Sequence, residues 1–467
     1  MAKNRIMNKN LSIILILLLS IITGACKDDK NVHVGVADEY LNLVFDARQD
    51  RRTIKIDSDG EWRLTSSDPS WCTASHEIGE NEQYVNVYVT RNTGADDREA
   101  TLTLTGDGGN KVVITVSQKK IPLSDESGWE SAFVACRNMT VGCNLYNTLD
   151  AVGDWFDPED VTAWETCWGQ PVTTQGWFDA VAAAGFKVVR IPVTWHPHMD
   201  ANWTIKEPWI NRVEEVVNYA LNAGLYCILN VHHDTGDGGW LCADNNNLDP
   251  IAQKFESLWV QIANRFNKYG EKLLFEGYNE MLDAQNSWVE PVAGGYEAVN
   301  KLAQKFVDTV RSTGGNNAHR NLIVNTYGAG GSKTRLDNFS IPVDVIGGHL
   351  LLEVHNYSPS KFSNLNGEID DNNLPVWTPE FESQLGEELD LLVNFSNGNN
   401  IPVVIGECGA YDKIADEEKA KYGEFITSYP KGKADICVIY WGGMIDRSSY
   451  EKLSPLFVDA FVRGAQK

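Results

Sequence analysis

Two glutamates in this sequence, Glu280 and Glu407, each stand just past a short apolar run, Leu273 to Tyr278 and Val403 to Ile405. Four other runs of the same kind end on side chains that hydrogen-bond or stack: Arg190, His232-His233, His355-Asn356-Tyr357 and Trp441, while Asn279 directly precedes Glu280. A single glutamate in such a place is ordinarily a salt-bridge partner. Two of them within one ring of Arg, His, Asn and Tyr make up what cleavage of an acetal requires: a proton delivered to the leaving oxygen and a carboxylate set against an oxocarbenium-like centre. The two carboxyl groups must hold different protonation states, which is a matter of surroundings. Arg190 and the Tyr357 hydroxyl would favour an ionised Glu407, and Asn279 is placed to hold a sugar hydroxyl while Glu280 delivers its proton.

For these residues to meet, the segments that carry them must converge. From about Ser131 onward the sequence alternates strand, loop and helix. Eight apolar runs lie around Met139–Asn144, Val188–Pro192, Tyr226–Val231, Leu273–Tyr278, Leu322–Asn325, Leu350–His355, Val403–Ile405 and Ile436–Trp441. They are continuously hydrophobic, as parallel strands covered on both faces should be. Between them, Trp209–Ala223 sets Val213, Val216, Val217, Ala220 and Leu221 on one helical face and stops at Gly224; Phe255, Leu258, Trp259, Ile262 and Phe266 mark the next helix. Eight β/α units over residues 131–467 predict an α/β fold, the (β/α)8 or TIM barrel, whose C-terminal strand ends share one mouth. A doubly wound sheet would want a phosphate-binding glycine loop after the first strand, and Val141-Gly142-Cys143-Asn144 is not one.

Ahead of the barrel, residues 32–119 read as short alternating strands such as Tyr84–Val89, Ala100–Leu104 and Val112–Val116, separated by turns such as Gly106-Asp107-Gly108-Gly109. This pattern predicts a small all-β Ig-like sandwich, followed by a linker over residues 120–130. Residues 1–26 read as an address. Lys3, Arg5 and Lys9 precede an apolar stretch from Leu11 to Ile22 that is too short to span a membrane and right for a signal peptide. Thr23-Gly24-Ala25-Cys26 then resembles a bacterial lipobox, with Cys26 lipidated, and Lys27-Asp28-Asp29 resembles the signal that sends lipoproteins to the cell surface. A bacterial outer-membrane, surface-exposed lipoprotein is the expectation.

The chain of 467 residues carries 40 basic and 64 acidic side chains, a formal net charge of −24. That balance argues against nucleic acid or an anionic membrane surface as a partner and suits a soluble protein outside the cell, touching the membrane only through its lipid. Neutral sugars impose no charge requirement, and the 15 Trp and 16 Tyr offer flat apolar faces of the kind sugar clefts use. Of nine cysteines, eight besides Cys26 show no spacing that suggests zinc. Cys143, Cys227, Cys408 and Cys437 lie in or beside strand-like runs and read as small buried hydrophobes. No cofactor and no metal is expected, and a monomer is.

At this point a resemblance becomes specific. Asn230-Val231-His232-His233-Asp234, Phe275-Glu276-Gly277-Tyr278-Asn279-Glu280, Val354-His355-Asn356-Tyr357, Val404-Ile405-Gly406-Glu407-Cys408-Gly409 and Tyr440-Trp441 resemble glycoside hydrolase family 5, strand by strand, over about Ala135–Phe461. Asn144–Asp150, Glu165–Gly169 and Thr173-Thr174 further resemble the endoglucanase and xyloglucanase branch called subfamily 4. The resemblance implies that Glu280 is acid/base and Glu407 nucleophile, with retention through a covalent glycosyl-enzyme. It implies that Arg190, His232, His233, Asn279, His355 and Tyr357 support them and bind substrate, and that Trp441 is the aromatic floor at the cleavage point. The partner it implies is a plant β-glucan, whether cellulose-type, mixed-linkage or xyloglucan. Where relatives show Trp and Gly in the first-strand motif this chain has Cys143 and Tyr146, which bears on which sugars fit. Residues 32–119, with Trp62, Trp71, Asn92, Arg98 and Gln118, resemble a BACON domain, here read chiefly as a spacer.

Three other readings compete. A metal hydrolase would use His232-His233-Asp234 or His196-Pro197-His198, but adjacent residues on a regular strand point to opposite sides and neither set makes a persuasive ligand group. A non-catalytic glycan-binding lipoprotein would not need both carboxylates. A mannanase or xylanase of the same fold would differ in loops that periodicity does not place.

Overall fold

The computed structural model describes residues 31–92, 94, 96–153, 157 and 159–467; the expected leader and Cys26 lie outside the described residues. The chain divides into two compact units, one built mainly from Arg51–Tyr88 and Glu99–Val116, the other mainly from Ser117–Lys467.

The first unit is all β. One sheet has the strand order Val34–Val36, Asp50–Ser58, Gln83–Val89, Cys72–Ala74; the other runs Asn42–Phe45, Lys111–Gln118, Arg98–Gly106, Glu61–Ser66, Ile78–Glu80. Alternate residues are buried, among them Ile54, Ile56, Leu64, Val85, Val87, Leu102, Leu104, Ile114 and Val116, as the period of two demands of a sandwich. Trp62 and Trp71 are both buried, so neither offers a face to a ligand. Gly79 leaves the room the Trp62 ring occupies.

The second unit is a closed eight-stranded parallel barrel. Its strands are β1 (Val141–Asn144), β2 (Val188–Ile191), β3 (Tyr226–Asn230), β4 (Leu273–Glu276), β5 (Leu322–Gly330), β6 (Leu350–Asn356), β7 (Val403–Cys408) and β8 (Ile436–Tyr440). Each pairs with the next, and β1 also pairs with β8. The helices between them form where expected. The first amphipathic one spans Glu207–Asn222, with Pro208 in its opening turn and Trp209, Ile210, Val213, Val216, Val217 and Ala220 buried. The next spans Leu248–Arg265.

Alternation along the strands creates two apolar layers. Val189, Ile191, Leu229, Phe275, Val324, Leu352, Ile405 and Val438 face the surrounding helices. Val188, Ile228, Leu274, Ile323, Leu351, Val404 and Ile439 point inward and fill the barrel. A helix at Ala132–Met139, capped by the Ser131 side chain, packs Ala132, Ala135, Cys136 and Met139 against that inner layer. Met139, expected in the first strand, is the last residue of this helix; the chain turns at Thr140, which has a positive φ, before β1 begins. Residues 120–130, expected as a linker, fold back through an antiparallel bridge between Ser124 and Glu130, with Asp125 Oδ1 accepting from the Ser127 and Trp129 amides. All eight cysteines among the described residues are free thiols, and Cys143, Cys227, Cys408 and Cys437 are buried.

Because Leu274 is fully buried in the inner layer, Leu274→Ala should cost about 2–5 kcal/mol of stability. The midpoint of denaturant unfolding, compared with wild type at equal slope, measures it.

Candidate active site

Two residues beyond the inner apolar layer, the same strands change character. Arg190 follows Val188, Asn230 follows Ile228, Glu276 follows Leu274, Asn325 follows Ile323 and Glu353 follows Leu351, so a polar layer crosses the barrel directly above the hydrophobic one. Arg190, Glu276 and Glu353 have no side-chain exposure at all. Buried charges must be paired, and these are. Arg190 Nε and Nη2 donate to Glu276 at 2.7 and 2.8 Å. Its Nη1 reaches Asn144 Oδ1 at 3.0 Å and Glu407 Oε1 at 2.9 Å, and its Nη2 also reaches Asn279 Oδ1 at 2.8 Å. Glu353 Oε1 lies 3.3 Å from Nη2. Burial opposes the guanidinium's charge, but the carboxylates of Glu276 and Glu407 outweigh it and hold the group well above its ordinary range.

Strand β7 should send Val404 and Gly406 inward and leave Glu407 facing the helices. It does not, because the register with β6 shifts: Val354 pairs with Ile405, but His355 pairs with Glu407. Gly406 is the extra residue of a β-bulge, and the bulge turns Glu407 into the mouth. A side chain at Gly406 would overlap the Glu353 carboxylate. Once turned, Glu407 receives Arg190 on Oε1 and the Tyr357 hydroxyl on Oε2 at 2.8 Å. Burial, reinforced by the Glu407 charge, raises the Tyr357 phenol well above its ordinary value, so it remains a donor.

Glu280 lies past the end of β4 with about a quarter of its side chain exposed. His355 joins it to the layer below: Nδ1 is 2.7 Å from Glu280 Oε1 and 3.6 Å from Glu407 Oε2, and Nε2 is 3.2 Å from Glu353 Oε1. Burial works against a charge on this ring, but Glu407 and Glu280 overcome it and push it up to about 10. One oxygen each of Glu280 and Glu407 and one nitrogen of His355 lie within 4.8 Å of one another. Asn279 turns its Oδ1 to Arg190, leaving its amide nitrogen without a partner among the described residues.

The adjacent histidines correct the expectation of opposite faces. β3 ends at Asn230, so both leave the regular strand and their rings touch edge to face at 4.4 Å. His232 lies parallel to Trp441 at 5.5 Å, and its Nδ1 is 3.1 Å from Asn230 Nδ2. Burial drives it well below its ordinary value, so it is a neutral ring. His233 is half-buried, with Nδ1 on the Asp150 carbonyl at 2.8 Å and its ring 5.5 Å from Trp168. Trp441 is partly exposed and also meets Tyr146 at 6.1 Å, which places Tyr146 beside the aromatic floor. All nine side chains singled out from the sequence, apart from Cys26, thus line or support one mouth.

Among the described residues, two groups have donors close enough to hold an ion: Asp150 with His232 and His233, and Glu280 with His355 and Glu407. In the first, the Asp150 carboxylate already accepts from the Asn147 and Thr148 amides, and His233 Nδ1 is engaged. The second is the carboxylate pair itself. Asp234 is turned away to the Trp195 and His196 amides and the Trp240 indole. Trp240 has Lys254 over its ring at 4.1 Å, so one face is covered. His198 is stacked on Trp209 at 3.6 Å and burial lowers it to about 3, which makes it a packing residue.

Sequence reasoning missed the polar layer. Asn144, Asn230 and Glu276 stood in the motifs without a role, and Glu353 was read as part of an apolar run. The usable signal was a charged or amide residue two places before a functional strand end, as in Glu353 before His355 and Asn230 before His232.

The family model described as cellulase (glycosyl hydrolase family 5) matches residues 149–442, and the BACON domain model matches residues 60–119. The chain is 36% identical to a xyloglucan-specific endo-β-1,4-glucanase of Bacteroides ovatus, over 96% of this chain and 90% of that one. It is 35% identical to endoglucanase A of Ruminococcus albus, over 72% of this chain and 93% of the relative. Among solved structures, a family 5 enzyme from Prevotella bryantii in complex with a xyloglucan tetradecasaccharide is 41% identical over 72% of this chain and 99% of that one, with a TM-score of 0.66. With the catalytic-type mouth assembled on the same barrel, the chain belongs to glycosyl hydrolase family 5.

Proposed function

We propose that this glycoside hydrolase is a retaining endo-β-1,4-glucanase with Glu407 as nucleophile, Glu280 as acid/base and xyloglucan as a preferred substrate. The observation that carries the reading is the approach of Glu280, Glu407 and His355 to within 4.8 Å. Carboxyl groups about 5 Å apart suit a double displacement, whereas inversion needs about 6.5–9.5 Å to admit a water between them. In the first step a Glu407 oxygen bonds to the anomeric carbon as the glycosidic C–O bond breaks, and the proton of Glu280 passes to the departing oxygen. In the second, Glu280 takes a proton from water, whose oxygen displaces Glu407 from the same carbon. Arg190 and Tyr357 bind the two oxygens of Glu407 as a carboxylate, and Asn279 offers a free amide donor to the sugar at the cleavage point. Trp441, backed by His232, supplies an apolar face under that sugar.

Support for xyloglucan comes from the Bacteroides ovatus and Prevotella bryantii relatives, the first aligned over almost the whole chain. We further propose that the chain is a surface lipoprotein of the outer membrane, on the strength of the apolar stretch Leu11–Ile22, the small residues before Cys26 and Lys27-Asp28-Asp29.

Reducing-end release from xyloglucan, mixed-linkage glucan, carboxymethyl-cellulose, galactomannan and xylan tests the substrate: xyloglucan should be cut fastest, and a faster rate on mannan or xylan would reject the reading. Glu407→Ala and Glu280→Ala should each lower kcat by at least about 1,000-fold with the fold intact by circular dichroism. Proton NMR of the first-formed product should show the β-anomer, the signature of retention. Cys26→Ala expressed in a Gram-negative host should move the protein from the membrane fraction to the soluble one.

A further inference from the structure

Glu353 has no part in the chemistry just described, yet it is fully buried beneath it. It faces Glu276 from β4, Arg190 from β2, Cys437 from β8 and His355 from its own strand. Two carboxyl groups, Glu276 and Glu353, crowd the same guanidinium nitrogen, Arg190 Nη2, at 2.8 and 3.3 Å, with no water-exposed surface on either. Glu276 has the better donors: two bonds from Arg190 and one from the Asn230 amide at 3.0 Å. Glu353 has one oxygen between Arg190 and His355, while its Oε2 is buried and receives no donor among the described residues. An ionised oxygen in that position would be a stranded charge; a protonated one is a donor facing an acceptor.

We propose that Glu353 is a positioning residue that works as a neutral carboxylic acid, donating its proton toward Glu276 and accepting from His355 Nε2, so that His355 is held on Glu280. Burial first, then the charge of Glu276, pushes the Glu353 carboxyl up to about 8, which agrees with the geometry. Charge balance requires the same state. With Glu353 neutral and Glu280 protonated for its first step, the buried cations Arg190 and His355 are matched by Glu276 and Glu407. When Glu407 becomes an ester and Glu280 has given up its proton, the balance is again zero. An ionised Glu353 would leave one uncompensated negative charge in both states. This inference rests on the catalytic roles proposed for Glu280 and Glu407, and not on which glucan is preferred.

The test compares Glu353→Gln, which keeps an acceptor and a donor but cannot ionise, with Glu353→Leu, which keeps neither. On whichever β-glucan the full-length enzyme cuts best, E353L should lose about 100-fold in kcat with little change in KM, the scale of a misplaced catalytic group, and E353Q should recover to within about tenfold of wild type. The second readout needs neither activity nor a folded E353L. A carboxyl raised in the folded state contributes stability that is complete below its unfolded value near 4.3 and is lost as pH rises toward 8; glutamine has no such dependence. The melting temperature of E353Q relative to wild type should therefore climb by about 3 °C or more between pH 5 and pH 8, every other titrating group being common to both. A difference that is flat or falls with pH, or an E353Q as inactive as E353L, overturns the proposal. If no glucan is cut by wild type, the reading of the reaction has failed and the melting comparison still decides the state of Glu353.

Discussion

A guanidinium taken wholly out of water is a severe constraint on the protein around it. Arg190 meets it with four strands: Glu276 on β4 takes two of its nitrogens, Glu407 on β7 and Asn144 on β1 share a third, and Glu353 on β6 stands close by. Each partner arrives from a different β/α unit, so the interaction exists only when the barrel is closed and in register. A slip of one residue in β4 or β7 would turn an acid toward the helices and leave the cation unmatched, at a cost of several kcal/mol. The cluster that serves the chemistry therefore also selects the register, and the apolar layer beneath it supplies the stability that charge pairing does not.

The mouth is shaped by departures from regularity at two strand ends. β7 carries an extra residue at Gly406, and that single insertion exchanges the faces, so that Glu407 points inward and Cys408 joins the outer core. β3 simply stops at Asn230, freeing two consecutive histidines to occupy the same side, one under Trp441 and one against Trp168. In both cases the backbone, not the side-chain type, determines which residues face the mouth.

This explains what could be read from the sequence. Runs such as Val188–Ile191 and Ile436–Tyr440 announce themselves because parallel strands are apolar on both faces, and a polar residue at the end of each is visible against that background. The helix at Ala132–Met139 is not visible in the sequence: its eight residues are too few to show a clear helical period, and they run almost directly into the first strand. Glu353 was hidden for a different reason. A polar residue in an apolar run ordinarily faces water, and only the closed barrel makes that inward place fully enclosed. The bulge at Gly406 leaves no mark at all beyond a glycine, whose cause is the neighbouring Glu353 rather than a turn.

The small helix under the barrel matters beyond its packing. With Ala132, Ala135, Cys136 and Met139 pressed against the inner residues of the strands, the polar layer has an apolar seal on one side and the glycan-facing opening on the other. The acids Glu353 and Glu276 are thus closed off on the helix side, and on the other side His355 and Glu280 stand between Glu353 and the opening.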